Sequence, residues 1–266
     1  MKVITKYLRI YSHFWKLAFS LGTVYRVDSF LLFVAVGLYL IQNFVFFGSV
    51  FRSLPQVGGW TLPEYMLLLS IFSLNWGIFK MFYGRTMESA IDMIFTGQYD
   101  YLLLKPINAR FLSYFCPPLI KSFPSVMFNL ALVVFVIITQ HLAVTPVSIG
   151  ISFVYLFLGQ LIIFSFSEMA TTTAFFTNNA SDVYAIFENA WDQAAYPGEA
   201  FTKSIHFILT FVIPIALFAS FPAKVLLGKV SNPFEYFYPI IVAAICLTIS
   251  NIFYKFGIKN YTSAGG

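Results

Sequence analysis

Apolar positions in this chain fall in blocks about as long as a bilayer crossing, separated by short polar or proline-rich stretches. Ser29–Phe51 has no charge, and Leu62–Tyr83 carries only Glu64 and Lys80, near its two ends. Ser122–Thr139 follows a proline-rich entry (Pro117, Pro118, Pro124), Pro146–Ser167 forms a fourth block and Tyr236–Tyr254 the last. A hydrocarbon core takes about 20 apolar residues in a helix, so each block predicts a span. Ser204–Ala223 is also uncharged, but Pro214 stands in its middle and Pro222 near its end. It reads as a kinked span or as a pair of short re-entrant helices, and broken helices persist at membrane depth only under a cover of protein or water. The pattern predicts an all-α, polytopic integral membrane protein with six transmembrane helices.

The first twenty residues follow another rule. Lys2, Lys6, Arg9, His13 and Lys16 are spaced four, three, four and three apart. At about 100° per residue they form one narrow stripe. Val3, Tyr7, Tyr11, Phe14, Trp15 and Ala18 supply much of the remaining surface, which predicts an amphipathic helix in the membrane interface. Residues 1–28 are therefore expected as an interfacial unit, 29–258 as the membrane domain and 259–266 as a tail.

Composition narrows the class further. Of 266 residues 59% are hydrophobic, 20% aromatic and only 10% charged, with a mean hydropathy of +0.80. A soluble fold of this size cannot hide so much apolar surface, and a disordered chain would be poor in aromatics and rich in charge. The net charge of +5 would point to nucleic acid in a soluble protein; here it predicts orientation, and no nucleic-acid partner is expected. With the N-terminus inside, thirteen basic residues (Lys2, Lys6, Arg9, Lys16, Arg26, Lys80, Arg85, Lys105, Arg110, Lys121, Lys203, Lys255, Lys259) fall on the cytoplasmic side and three (Arg52, Lys224, Lys229) outside. That bias puts both termini in the cytoplasm. The first hydrophobic run begins near residue 29 and is long enough to span, unlike a cleaved signal peptide.

Catalytic and metal motifs are absent from the sequence. Gly228–Lys229 is followed by Val230 and lacks the upstream glycine of a phosphate loop. His13, His141 and His206 share no helical face, and Cys116 and Cys246 stand far apart in apolar surroundings. No catalytic residue, cofactor site or metal site is expected. An ion-coupled carrier would carry charge inside its spans, but the polar groups there are neutral: Gln42, Asn43, Asn75, Asn129, Gln160 and Asn251. Each has an ordinary use as an interhelical hydrogen-bonding group. As a set they suit a large amphipathic substrate, with Gln42, Asn43 and Asn75 the candidate pathway lining. Nothing in the spans supplies energy, so transport requires an external motor.

The largest polar excursion, residues 84–111, contains Gly97-Gln98-Tyr99-Asp100-Tyr101-Leu102-Leu103-Leu104-Lys105-Pro106. It predicts a turn, a short amphipathic helix and a proline stop, with Asp100 capping the start, Lys105 at the C-terminal end and Tyr99, Leu102 and Leu103 as an apolar edge. The spacing Gly97-x-x-Asp100-x-x-Leu103-Leu104-Lys105-Pro106 resembles a signature of type-2 ABC exporter permeases, in particular their poorly characterised branch encoded as paired permeases. Tyr196-Pro197, Phe211-Val212-Ile213-Pro214, Phe221-Pro222-Ala223-x-x-Leu226-Leu227-Gly228 and the tail Gly257-Ile258-x-x-Tyr261-x-Ser263-Ala264-Gly265 are similar to that branch too.

The resemblance implies a permease subunit in a bacterial inner membrane, working with a second permease, identical or homologous, and two copies of an ABC ATPase subunit that hold the ATP and magnesium. Gly97, Asp100, Leu103, Leu104, Lys105 and Pro106 would dock the ATPase. A lipidic, peptide or drug-like substrate is implied; an ATPase-independent carrier or channel, or a non-transport scaffold, are the alternatives. The resemblance also implies that Asp182–Tyr196 is the fifth crossing and 197–228 a re-entrant hairpin, whereas hydropathy prefers Ser204–Ala223 as the crossing.

Overall fold

The computed structural model describes residues 2–22, 26–230 and 232–262. The tail residues Ser263, Ala264 and Gly265 and the side chains of Lys2 and Val3 lie outside the described part. Every named element is helical: α1 (Lys2–Gly22), α2 (Arg26–Ser53), α3 (Leu62–Phe79), α4 (Arg85–Phe95), α5 (Tyr99–Leu103), α6 (Ala109–Phe115), α7 (Phe123–Thr139), α8 (Pro146–Thr172), α9 (Ala180–Trp191), α10 (Lys203–Phe207), α11 (Ala216–Leu226) and α12 (Pro233–Lys259). The starts follow local chemistry. Thr61 and Glu64 form a reciprocal capping box at α3, Thr145 and Ser148 another at α8, and Asn232 with Pro233 opens α12.

Several predicted spans run longer than hydropathy indicated. α3 passes through a wide turn, Lys80–Gly84, straight into α4, giving one helical stretch of 34 residues to Phe95. The polar excursion predicted over 84–111 therefore narrows to a connection between Phe95 and Ala109. α8 continues to Thr172 and takes Glu168 into the helix rather than a loop. Hydropathy windows fade where polar side chains enter, but a helix stops only when its backbone is capped or broken.

The bundle has two ends. The basal end carries α1, α5 and the C-termini of α8 and α12; the distal end carries the α2–α3 connection and the starts of α8 and α12. α1 lies against the basal end on the face predicted apolar: the Tyr7 ring meets Phe111 at 5.0 Å and Trp15 meets Phe82 at 5.7 Å. Arg9, His13 and Lys16 stay exposed.

α9 runs opposite to α3. Near its start the Tyr184 hydroxyl donates to the Gly84 carbonyl (3.0 Å), while Tyr196, just beyond its end, packs on Phe47 of distal α2. From there the chain enters a hairpin. The axes of Lys203–Val212 and Ala216–Leu226 differ by 99°, with Pro214 at the break, and Glu199 and Lys229, on either side of the hairpin, both meet the α2–α3 connection. Lys203, grouped with the cytoplasmic basic residues by hydropathy, follows Glu199 at the distal end instead, which turns thirteen against three into twelve against four. Lys80 sits within the long helix and pairs with Glu188 of α9.

Prolines explain the polar residues between the helices. A proline inside a helix deprives the carbonyl four residues earlier of its donor, and in a membrane a neighbouring helix must supply another. Pro222 frees the Phe218 carbonyl, and Asn75 of α3 donates to it at 2.8 Å. Pro239 frees the Glu235 carbonyl; the Tyr155 hydroxyl of α8 reaches it at 3.5 Å and the adjacent Tyr236 carbonyl at 3.0 Å. The Thr210 carbonyl, four before Pro214, accepts from the Tyr238 hydroxyl of α12.

Candidate functional site

The six predicted docking residues lie on one basal projection. Gly97 has φ +71°, a left-handed conformation that a side chain would strain, and its N–H donates to the Ile94 carbonyl at 3.3 Å. This closes α4 and turns the chain directly into α5. The cap position of α5 falls on Gln98, without a side-chain cap bond, and Asp100 is in the first helical turn, so Asp100 is not the cap that the sequence predicted. The predicted apolar edge is divided as well. Tyr99 is fully buried, Leu102 half-buried, and Leu103, Leu104, Lys105 and Pro106 are exposed, Leu104 at 82%. Leu103, Leu104, Lys105 and Pro106, together with the exposed Tyr101, thus form the outward surface.

The base of this projection is held from two sides, by α1 and by α12. Lys6 of α1 donates to the Pro106 carbonyl at 2.8 Å, and the Asn108 N–H donates to the Tyr7 hydroxyl at 3.1 Å. Asn108 also caps α6, its side chain accepting from Phe111 N–H at 3.3 Å. On the inner side the Tyr99 hydroxyl meets the Tyr254 hydroxyl of α12 at 2.8 Å.

Immediately after the projection stands a group that sequence reading missed. Arg110 of α6 makes a two-pronged contact with Glu168 of α8, its Nε and Nη2 donating to the two carboxylate oxygens. Its Nη1 donates to Asn251 Oδ1 of α12 at 3.0 Å, and the Ser250 hydroxyl donates to the same Glu168 carboxylate. The guanidinium lies 5.3 Å from the Tyr254 ring centre and 5.9 Å from that of Phe164. Glu168 is fully buried, and the planar fork of arginine matches a carboxylate in two parallel bonds, which compensates that burial. The signal available in the sequence was the i, i+1, i+4 polar edge Ser250, Asn251 and Tyr254 in the last span. Its partner was hidden because Glu168 stood where hydropathy had already ended the fourth span.

α8 and α12 also approach closely here. A Cβ added at Gly257 would come 2.7 Å from Thr172 Cγ2 and 2.8 Å from Phe175 Cδ2. The base of the α5 projection is thus joined to the basal halves of two long helices, through one ionic contact and one tyrosine pair.

The predicted pathway residues do not converge. Gln42 faces outward on α2 beside Val45, Phe46 and Ser49 in a shallow groove. Asn43 is buried and donates to the Tyr39 carbonyl of its own helix at 2.9 Å. Asn75 is fully buried; besides serving Phe218 it accepts from Gln160 Nε2, so it lines no open surface of this chain. Among the described residues, no three His, Cys, Asp or Glu side chains are grouped as metal ligands.

Residues 38–265 match a family model described as ABC-2 family transporter protein. No curated protein matches the chain.

Proposed function

As the chain belongs to the ABC-2 transporter family, and is thus an integral, multi-pass membrane permease component of an ABC transporter, we propose that it is the permease subunit of an ATP-driven exporter. ATP and magnesium are held by a separate nucleotide-binding subunit, present in two copies beside two permeases. The observation that carries this reading is the α5 projection. It offers exposed Leu103, Leu104, Lys105 and Pro106 to a partner, while Tyr99 and Arg110 at its base are tied to Tyr254, Glu168 and Asn251. Closure of the ATPase dimer pushes on the projection, and the joint passes the displacement to α8 and α12. Tyr99 and Arg110 are positioning residues in this scheme, and Leu103 and Leu104 are contact residues.

The basal end is the cytoplasmic face of a bacterial inner membrane, with both termini on that side; the basic stripe of α1 supports this orientation. Asp182–Tyr196 is the fifth crossing and 197–228 a re-entrant hairpin entered and left at the outer face. The course of α9, from Gly84 at the basal end to Phe47 of α2 at the distal end, and the shared anchoring of Glu199 and Lys229 support that assignment. Lipidic, peptide or drug-like compounds are the substrate class, and of the three polar candidates Gln42 is the exposed one, which supports keeping it as a pathway candidate. Asn75 ties α3 to α8 and α11, and Asn43 bonds within its own helix.

The test is co-purification of the ATPase encoded nearest to this chain. Leu103→Glu with Leu104→Glu is expected to cut recovery of the ATPase at least tenfold while the permease melting profile is unchanged. Wild-type recovery with the double variant would refute docking at α5.

A further inference from the structure

Among the charged side chains of the basal end that appear in no ion pair of the described residues are Arg26, Asp28, Arg85 and Lys121. Three of them, Asp28, Arg85 and Lys121, line one cavity of about 420 Å³, together with Ser89 and the Cys116–Lys121 link between α6 and α7. The hydroxyls there are already engaged: Ser89 donates to the Arg85 carbonyl at 3.0 Å and Thr86 to those of Tyr83 and Tyr114. What the cavity offers a ligand is two cations and one carboxylate.

A second, open groove of about 600 Å³ shares Ile120 with this cavity. Its walls are Phe19 of α1, Phe30 and Phe33 of α2, and Phe123 and Pro124 of α7, with Arg26 and Ser29 also lining it. Both spaces are of the size that binds small molecules, roughly 300–1,000 Å³. A polar cavity thus lies next to an aromatic trough along two membrane helices, with Ile120 lining both, beside the interfacial helix. Only an amphiphile fills both.

We propose that this paired site binds an anionic glycerophospholipid, with its phosphate against Arg85 and Lys121 and one acyl chain along Phe30, Phe33 and Phe123. The sign follows from the side chains: Arg26, Arg85 and Lys121 against Asp28 leave two positive charges unmatched, and basic pockets between membrane helices attract anionic headgroups. The Asp28 carboxylate asks for a donor, which the hydroxyls of a phosphatidylglycerol headgroup supply and a choline headgroup does not. A free phosphate would leave the trough empty, and a soluble protein does not reach a trough whose walls are membrane helices. The site depends on the chain being in a membrane, not on its having an ATPase.

The test uses the full chain purified in detergent and native mass spectrometry with phosphatidylglycerol, phosphatidylethanolamine and phosphatidylcholine of identical acyl chains, and with glycerol 3-phosphate as the chainless headgroup. Phosphatidylglycerol is expected to be retained about tenfold over phosphatidylcholine. Arg85→Gln with Lys121→Gln should bring it down to the phosphatidylcholine level. Arg85→Lys with Lys121→Arg should retain it, and all variants should show the wild-type melting profile. Equal retention of the three lipids, or full retention by the charge-removing pair, would overturn the proposal. Displacement of phosphatidylglycerol by an equimolar amount of glycerol 3-phosphate would overturn the lipid source in favour of a free phosphate site.

Discussion

At the basal end a single carboxylate, Glu168, has left solvent altogether and is held by Arg110 and Ser250, whereas at the distal end two pairs, Lys224–Glu199 and Lys229–Glu64, keep side-chain exposures of 16–33%. Each pair joins a cation to a carboxylate, but Glu168 is fully buried whereas Glu199 and Glu64 keep part of their surface in contact with solvent. Breaking a buried pair strands a charge and costs about 3–5 kcal/mol; an exposed pair contributes about 0–1 kcal/mol. The distal pairs nonetheless close a long connection. Lys229 donates to the Gly59 carbonyl at 2.9 Å and Trp60 Nε1 to Glu199 at 3.1 Å, while Gly58, at φ +59°, lets the backbone approach where a Cβ would stand 2.7 Å from Ala200 N. The basal cluster ties α6, α8 and α12 to one another. The distal pairs are latches on a hairpin.

The sharpest way to break this contrast is at the joint. Glu168→Ala is expected to destabilise the detergent-solubilised protein by about 3–5 kcal/mol, seen as a large drop in thermal midpoint. Arg110→Met with Glu168→Leu should cost less than either single change, because no charge is left stranded. A double variant as unstable as the worse single one would mean that the pair is not the determinant.

A smaller effect is expected midway between the ends, where Asn75 serves the carbonyl freed by Pro222. Asn75→Ala should cost about 1–3 kcal/mol by leaving that buried acceptor unsatisfied. In the background of Pro222→Ala, which restores the helical donor, the same change should cost clearly less. A double-mutant cycle on thermal midpoints measures the difference, and strict additivity would refute the coupling.

The smallest effect is at the latches. Burial pushes the Glu199 carboxyl up, but the hydrogen bond and charge of Lys224, with donors from its own backbone and Trp60, outweigh this and hold it below the usual carboxylate range. A depressed folded value means stabilisation that is present above the unfolded value, about 4.3, and lost as pH falls through the folded one. Lys224→Met should therefore lower the midpoint at pH 7 by an amount equivalent to about 1 kcal/mol or less, and the gap to wild type should close as pH drops below about 4. A gap that is constant with pH would show that Lys224 acts through packing alone.

Much of the architecture was legible because bilayer partition is a property of short windows. The five long apolar helices and the basic stripe of α1 each satisfy a local rule, and each lies close to its predicted place. The α5 segment was also locatable, since glycine, proline and the intervening amphipathic run act within ten residues. Its details were not. Asp100 lost the cap because Gly97 turns the chain so that the cap falls two residues earlier, on Gln98, and Tyr99 left the predicted apolar edge because Tyr254, 155 residues away, offers its hydroxyl a partner. Hydropathy preferred Ser204–Ala223 over Asp182–Tyr196 as the crossing, and the bent pair Lys203–Val212 and Ala216–Leu226 does carry the apolar length. Apolar character does not distinguish a hairpin packed on α3 and α8 from a helix facing lipid.

What the sequence determined by itself is the solvent of this protein: blocks of apolar residues long enough to span, few charges, and a cationic stripe at the membrane surface. Tertiary structure decided how the exceptions to that solvent are satisfied. Glu168 is tolerable only because Arg110 reaches it from another helix, and Pro222 only because Asn75 stands opposite the carbonyl it frees. In hydrocarbon there is no water to serve an unpaired polar group, so each one is defined by a partner distant in the chain, and distance in the chain is what a local pattern does not record.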